Sequence, residues 1–195
     1  MNKNAIILIV IVIAAAGAIL ALINPFEANP LPAVTQSGTP SQVSSDSSEV
    51  GQKVADFTLE SFDAKLVKLS DFKGTPVFID FWAAWCPFCL EEMAEIEKIN
   101  QEFKGKLVVL GIHRTETEDV ARGEKFAKEI GVTYTLLKDI TGQVYKTLTG
   151  GRNFMPYALY IDKQGTIMAI KAGPKTEEEM RREVEKLLQE NKGRQ

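Results

Sequence analysis

The chain is poor in the residues that most often build metal sites and disulfide frameworks. Its 195 residues include two cysteines, Cys86 and Cys89, and one histidine, His113. The cysteines could form half of a zinc site, but zinc needs about four ligands and His113 is the only further Cys or His. Because both cysteines lie in one short motif, a framework of several disulfides is excluded. We therefore expect no metal and no cofactor.

A strong charge of either sign is also missing. The sequence has 23 Lys and Arg against 26 Asp and Glu, which gives a net charge of −3 at pH 7. Nucleic-acid-binding domains carry a basic patch or stripe, and no such stripe is visible, so we expect no nucleic-acid partner. The composition, 45% hydrophobic and 25% charged, fits one globular domain with appendages.

A long apolar run stands near the start of the chain. Residues 5–23 contain no charged or strongly polar side chain, and as a helix they would span about 28 Å, close to the hydrocarbon core of a bilayer. This pattern predicts a transmembrane helix. A cleaved signal peptide is the alternative, since Lys3 supplies a basic start. We favour an uncleaved anchor, because the run exceeds the usual ~7–15 residues and no small-x-small site follows before Pro25.

The charges around this run predict its orientation. Lys3 lies before it, and no Lys or Arg follows until Lys53. The positive-inside rule therefore places residues 1–4 in the cytoplasm and the rest of the chain outside the cell membrane, held by a single span. Residues 24–50 are rich in Pro, Ser and Thr and predict a flexible tether. The folded domain is expected over residues 51–192.

Within the domain, strand and helix patterns alternate. The predicted strands are 54–59 and 65–69 as a hairpin, 76–82, 107–112, one within 132–139, one opening at Pro156, and 166–170. The predicted helices follow Cys86, span 117–130 and 144–148, and begin at Thr176 with a capping box to Glu179. This order predicts a three-layer α/β arrangement.

The two cysteines fall where an apolar, aromatic strand meets the start of a helix. Free backbone N–H groups and the helix dipole favour a thiolate there, and Pro87 suits the first helical position. Cys86 is therefore predicted to cap the helix as the exposed nucleophile, with Cys89 one turn later beneath it. The pair can close a disulfide and reopen it by exchange. A purely structural disulfide is the alternative, although so short a loop stabilises little.

This segment resembles a known family. Asp80-Phe81-Trp82-Ala83 with Trp85-Cys86-x-x-Cys89 is similar to the active-site segment of thioredoxin-fold proteins. Glu92-Met93 and the pattern at 56–59 and 69–74 extend the resemblance to the membrane-anchored TlpA/ResA type, over about residues 51–173. The resemblance implies a thioredoxin fold, with a central mixed β-sheet flanked by helices and an N-terminal β-hairpin extension.

The resemblance also implies roles for individual residues. Cys86 and Cys89 would be the redox-active pair. Asp80 resembles the buried aspartate of thioredoxin, which accepts or delivers the Cys89 proton through water, although the TlpA/ResA pattern more often has Asn there. A carboxylate satisfied by local hydrogen bonds is its structural alternative. Pro156 matches the cis-proline that faces the cysteines, and Met155 departs from the Thr or Val that commonly precedes it.

An apolar surface around the cysteines is expected to bind an extended client segment, although each member could instead be ordinary core. Its predicted members are Trp82, Trp85, Pro87, Phe88, Met155 and Pro156. His113, at the end of the strand 107–112, is predicted to be a surface loop residue without a role.

These observations predict a membrane-tethered thiol–disulfide oxidoreductase that reduces disulfides in client proteins outside the cytoplasm. A membrane electron carrier of the DsbD/CcdA type would be a suitable redox partner. The first alternative is an oxidant that works in the direction of DsbA. A peroxidase of the peroxiredoxin type is less expected, because Ile79 and Ala83 occupy the places of its Pro and Thr or Ser. A copper-binding module like the Sco proteins would need a longer cysteine spacing and a distant histidine ligand.

Overall fold

The computed structural model describes residues 49–193. The predicted cytoplasmic start at 1–4, the predicted transmembrane helix at 5–23 and nearly all of the predicted tether at 24–50 lie outside this range. Between residues 49 and 193, no helix has both the length and the apolar character needed to cross a membrane.

The elements follow the predicted order. The strands are β1 Thr58–Ser61, β2 Leu66–Lys68, β3 Val77–Trp82, β4 Val108–His113, β5 Thr135–Lys138, β6 Tyr157–Ile161 and β7 Ile167–Ala172. The helices are α1 Pro87–Glu102, α2 Val120–Ile130, α3 Gln143–Leu148 and α4 Glu177–Gly193, with 3₁₀ turns at Leu69–Phe72 and Thr115–Thr117.

Helix α2 begins three residues later than predicted. The segment Thr115–Thr117 forms its own 3₁₀ turn, and Asp119 then caps α2 by accepting a hydrogen bond from the N–H of Ala121. The helix ends at Gly131, whose left-handed backbone conformation suits glycine, as the sequence indicated.

The strands form one mixed sheet in the order β2-β1-β5-β4-β3-β6-β7. Strand β3 pairs in parallel with β4 and antiparallel with β6, and Phe81 lies opposite Tyr157. The chain leaves β3 at Trp82 and enters the antiparallel strand β6 after Pro156. The cysteine motif and Pro156 therefore lie at the same end of these two neighbouring strands. The predicted thioredoxin-like α/β fold with its N-terminal hairpin is confirmed.

Each face of the sheet carries its own apolar cluster. Phe78 and Trp82 of β3 pack with α1, α2 and α4, whereas Ile79 and Phe81 pack with α3 and the N-terminal hairpin. Side chains alternate along a strand, so Asp80 shares the face of Phe78 and Trp82. The one carboxylate of β3 therefore points toward the helix that carries the cysteines.

Candidate active site

The cysteine pair forms the start of α1. Cys86 and Cys89 are joined by a disulfide with their Cα atoms 5.3 Å apart. Cys86 is the N-cap, its Sγ accepts a hydrogen bond of 3.2 Å from the N–H of Cys89, and Pro87 follows as the first helical residue. The predicted cap is confirmed. In the reduced state, the same N–H group and the positive end of the helix dipole would stabilise a thiolate at Cys86.

The exposure of the cysteines differs from the prediction. Cys86 is 3% exposed and Cys89 is fully buried, so an exposed Cys86 is wrong for the disulfide-bonded state. The physical reason is that the bridge and the bond from the N–H of Cys89 turn the Cys86 sulfur inward. The exposed atoms around it belong to its neighbours, since Trp85 is 41% and Phe88 56% exposed.

Only some of the residues predicted to bind clients are exposed. Trp85, Pro87 and Phe88 are exposed and Met155 is half-buried, but Pro156 is buried. Trp82 has no exposed area and stacks between Phe62 and Phe126, with ring centroids 6.2 Å and 5.8 Å away. Trp82 is therefore a core residue, because it lies on the inward face of β3.

Phe154 adds to this surface and was missed by the sequence reasoning. Its side chain is 52% exposed, immediately before Met155 and Pro156, and its carbonyl accepts a hydrogen bond of 2.6 Å from the hydroxyl of Tyr145. We call Trp85, Phe88, Phe154 and Met155 the apolar rim. A phenylalanine beside the predicted cis-proline was the signal that could have identified it.

The peptide bond between Met155 and Pro156 is cis, as the resemblance implied. The carbonyl of Pro156 accepts a hydrogen bond of 2.9 Å from the N–H of Gly173. The loop before β6 is thereby fixed to the loop that follows β7.

A buried group of three ionisable residues lies on the inner side of the motif. Asp80 is 1%, Glu92 2% and Lys175 8% exposed. The ammonium Nζ of Lys175 is 2.5 Å from Oε1 of Glu92 and 3.9 Å from Oδ1 of Asp80. We call these three residues the carboxyl cluster. Its two carboxyl groups face a single cation. Protonation of one of the two carboxyl groups is therefore favoured at neutral pH.

Burial determines where that proton lies. Burial raises the pKa of Asp80 well above its ordinary value, the neighbouring Glu92 raises it further, and Lys175 offsets only part of this. Burial also raises the pKa of Glu92, but the charge and hydrogen bonds of Lys175 act in the opposite direction. Asp80 therefore holds the proton and Glu92 carries the charge. A protonated Asp80 is suited to the proton-handling role that the resemblance implied.

Neither Glu92 nor Lys175 was predicted as a site residue. Charged side chains are almost always exposed, and nothing about Lys175 in its turn distinguishes it from a surface lysine. Glu92 did carry a signal, because it follows Cys89 by three residues and so lies on the buried face of α1 with Cys89, Met93 and Ile96.

A second buried group supports the loop before Cys86. The ring of His113 is fully buried, with Nε2 2.8 Å from Oε1 of Glu118 and Nδ1 3.0 Å from the hydroxyl of Thr115. The N–H of Ala84 donates to the same Oε1 of Glu118 over 2.5 Å. We call His113, Thr115 and Glu118 the histidine cluster.

The prediction that His113 is a surface residue was wrong. It sits 4.6 Å from the ring of Trp82, and α2 approaches it closely at Gly123, where a Cβ atom would lie 2.4 Å from Nε2. Burial lowers the pKa of His113, an effect that Glu118 partly opposes. A neutral histidine can donate from Nε2 to Glu118 and accept at Nδ1 from Thr115.

The chain is similar to known redox proteins. It is 31% identical over 138 residues to the thioredoxin-like protein YneN of Bacillus subtilis, covering 69% of this chain and 78% of that protein. It is also 31% identical over 139 residues to the thiol-disulfide oxidoreductase ResA of Geobacillus kaustophilus, covering 71% of this chain and 78% of ResA.

Solved structures agree with these relatives. A Chlorobium tepidum protein proposed to be the thiol:disulfide interchange protein DsbE superposes with a TM-score of 0.66 at 25% identity, over 72% of this chain and 98% of that one. The exposed lipoprotein thioredoxin of Streptococcus pneumoniae gives 0.59 at 29% identity, over 68% of this chain and 100% of that one. Residues 50–170 match the AhpC/TSA family. The chain therefore belongs to the AhpC/TSA family, and it is an oxidoreductase of the thioredoxin type.

Proposed function

We propose that this protein reduces disulfides in client proteins outside the cytoplasm, held at the cell membrane by residues 5–23. The observation that carries the proposal is the Cys86–Cys89 bridge at the start of α1, bordered by the apolar rim and backed by the buried carboxyl cluster. This arrangement combines a nucleophile, a resolving thiol, a client surface and a proton acceptor.

The reaction proceeds through a mixed disulfide. The Cys86 thiolate attacks one sulfur of the client disulfide, forms a bond to it and releases the other client sulfur as a thiolate. Cys89 then loses its proton and attacks the Cys86 sulfur, which restores the intramolecular disulfide and releases the second client thiolate. Two electrons pass from the protein to the client, and the two client thiolates take up two protons.

The carboxyl cluster receives the proton that Cys89 loses. Asp80 lies on the face of β3 that packs against α1, and Glu92 lies one helical turn after Cys89. The resolving step needs an acceptor here because Cys89 is fully buried and has no direct access to bulk water.

The apolar rim would bind the client. Trp85 precedes the first cysteine and Phe88 lies between the two, while Phe154 and Met155 belong to the cis-proline loop. Four apolar side chains, two in the cysteine motif and two in the cis-proline loop, suit an unfolded or extended segment, which buries its own apolar side chains on them without needing a specific sequence.

The reducing direction is supported by two observations. Pro87 and Phe88 place no charge or histidine between the cysteines, so no side chain there stabilises the Cys86 thiolate to the extent expected of a strong oxidant. The second is the resemblance to the tethered TlpA/ResA type, in which reduction is the usual direction. A membrane electron carrier of the DsbD/CcdA type would return the pair to the dithiol state.

Cysteine variants test the proposed exchange. Cys89→Ser is expected to accumulate mixed disulfides with clients, seen as bands that disappear on reduction, whereas Cys86→Ser should accumulate none. Equal trapping by both variants would contradict the assignment of Cys86 as the attacking thiol.

The reduction potential and the state of the pair in cells test the direction. A potential near about −270 mV with the pair found reduced would support a reductase. A potential near about −120 mV with the pair found oxidised would instead make the protein an oxidant.

The anchor needs its own experiment. We expect the intact chain, including residues 5–23, in the membrane fraction after cell fractionation and mass spectrometry. A mature chain that starts after residue 25 and stays in the soluble fraction would overturn the tethering.

A further inference from the structure

The loop between β7 and α4 carries a lysine into the protein interior. At one end, the N–H of Gly173 donates to the carbonyl of Pro156 over 2.9 Å. At the other end, Thr176 and Glu179 form the reciprocal capping box of α4, with the N–H of Thr176 2.9 Å from Oε2 of Glu179. Because both ends are fixed, the side chain of Lys175 is held inward rather than left free to reach solvent.

Lys175 lies closer to one carboxyl group of the cluster than to the other. Its ammonium is 2.5 Å from Oε1 of Glu92, and its backbone N–H donates to Oε2 of the same carboxylate over 3.2 Å. The ammonium also donates to the carbonyl of Gly173 over 3.1 Å. Asp80 meets this ammonium only at the longer distance of 3.9 Å. The negative charge is therefore fixed on Glu92.

This asymmetry matters because Glu92 lies next to the resolving thiol along α1. A buried carboxylate without a cation would take up a proton and could no longer act as a base. With Lys175 in contact, Glu92 stays ionised although it is only 2% exposed. The cluster then keeps the capacity to accept one more proton when Cys89 must lose its own.

We propose that Lys175 is a positioning residue for the resolving step, which fixes the charge on Glu92 and leaves the proton on Asp80. The proton of the Cys89 thiol passes to the carboxyl pair, which then holds two protons beside the Lys175 cation, and the Cys89 thiolate attacks the Cys86 sulfur. Lys175 itself forms and breaks no bond. This inference rests on the proposed function and adds the residue that sets its proton balance.

A surface cavity of about 220 Å³ lies beside Lys175. Lys175 and Tyr160 line it together with residues of β7 and α4. The other ionisable groups that face the cluster or this cavity are Tyr134, Tyr160, Lys171, Glu179, Arg182 and Glu183. Burial raises the pKa of Tyr134 and Tyr160, so both stay neutral near pH 7 and add no negative charge beside the carboxyl cluster.

The reduced full-length chain in mild detergent provides the test, with the aromatic disulfide dithiobis(nitrobenzoate) as the probe. Attack by Cys86 releases one coloured nitrothiobenzoate, and resolution by Cys89 releases the second. The two releases are followed by stopped-flow absorbance between pH 5 and pH 9. The first reports on Cys86 and the second on the proton transfer at Cys89.

For Lys175→Met, we expect the second release to slow by about tenfold at pH 7, because its pH profile moves upward by about one unit. The first release should be unchanged. Lys175→Arg keeps the cation and should stay near the wild-type profile. Lys98→Met is the matched control, because it removes a lysine that bridges α1 and α4 at the surface through Glu177, 2.8 Å away. This control should leave both releases unaltered.

A folded Lys175→Met protein with a wild-type second release and pH profile would overturn the inference. If circular dichroism shows that this variant does not fold, Glu92→Gln decides instead, and it should slow the second release and shift its profile. A wild-type profile for Glu92→Gln would equally overturn the role of Lys175. If the wild-type chain itself shows no second release, the proposed function fails, which is a separate result.

Discussion

Two buried clusters of ionisable residues lie beside the cysteine motif. They differ in the groups that contact their carboxylates. In the histidine cluster, Oε1 of Glu118 accepts hydrogen bonds from the His113 ring and from the backbone N–H of Ala84, and Arg122 lies 3.5 Å from the other oxygen. In the carboxyl cluster, two carboxyl groups face one ammonium, which lies 2.5 Å from Glu92 and 3.9 Å from Asp80.

The difference separates a supporting role from a chemical one. Glu118, just before α2, accepts a hydrogen bond from the backbone that leads into Cys86, so its loss would alter the shape of that loop. In the carboxyl cluster, two carboxyl groups share one ammonium, so the number of protons that the cluster holds can change. We therefore expect stability effects to dominate in the first cluster and pH effects in the second.

The largest expected effect is the loss of stability in Glu118→Ala. Removing this carboxylate leaves the part-buried N–H of Ala84 and the buried His113 ring without their acceptor, at about 1–3 kcal/mol for each group, and should lower the free energy of unfolding by about 2–5 kcal/mol. Glu129→Ala, at an exposed pair 3.8 Å from Lys125 on the same helix, should change it by about 0.5 kcal/mol or less. Urea unfolding measures both, and equal losses would mean that Glu118 provides no special support.

Asp80→Asn should have the opposite sign and stabilise the protein at neutral pH. Because the pKa of Asp80 is raised in the folded state, the wild-type protein loses stability as pH rises above the ordinary range of an aspartate toward that raised pKa. The amide removes this loss, with an expected gain of about 1 kcal/mol or more at pH 7. Unfolding in urea from pH 4 to pH 8 should show the difference shrinking toward acid. A constant difference would show that Asp80 does not titrate as inferred.

The histidine cluster should show the reverse pH slope. The pKa of His113 is lowered in the folded state, so stability falls as pH decreases from about 6.5, where the unfolded chain binds a proton that the folded protein does not. The slope is at most about 1.4 kcal/mol per pH unit for one proton. Because the sequence has no other histidine, His113→Gln in the Asp80→Asn background should abolish this slope. A slope that persists would assign it to another group.

The smallest expected effect concerns the outer side of the same loop. The indole N–H of Trp85 donates to the hydroxyl of Thr117 over 2.9 Å at an exposed position. Thr117→Val should cost about 0.5–1 kcal/mol, and Trp85→Phe should remove the same bond. The double variant should therefore cost less than the sum of the two single ones. Strict additivity would show that this bond does not contribute to stability.

Patterns along the chain sufficed for the order of elements, the position of Cys86 as a cap and the buried stripe of α1. They failed where burial depends on contacts between distant segments. His113 is buried because Trp82 packs against it and Gly123 leaves room for its ring, and neither contact can be read from the residues around position 113.

The burial of Lys175 could not be predicted for the same reason. A lysine in a turn is typical of the surface, and only the sheet order brings its loop beside the start of β6. Trp82 could have been assigned correctly, because it shares a face of β3 with Phe78 and Asp80, and that face packs against helices. Strand alternation was therefore a better guide than the tendency of tryptophans near a motif to contact partners.

The hydrogen bond between Lys175 and Glu92 joins residues 83 positions apart in the chain. During synthesis, the cysteines leave the ribosome well before β6, β7 and α4 exist. Until those elements join the sheet, Cys86 and Cys89 have neither the Pro156 loop beside them nor a cation beneath them. We therefore expect a partly made chain to carry an ordinary dithiol, with efficient exchange only after its C-terminal third has folded.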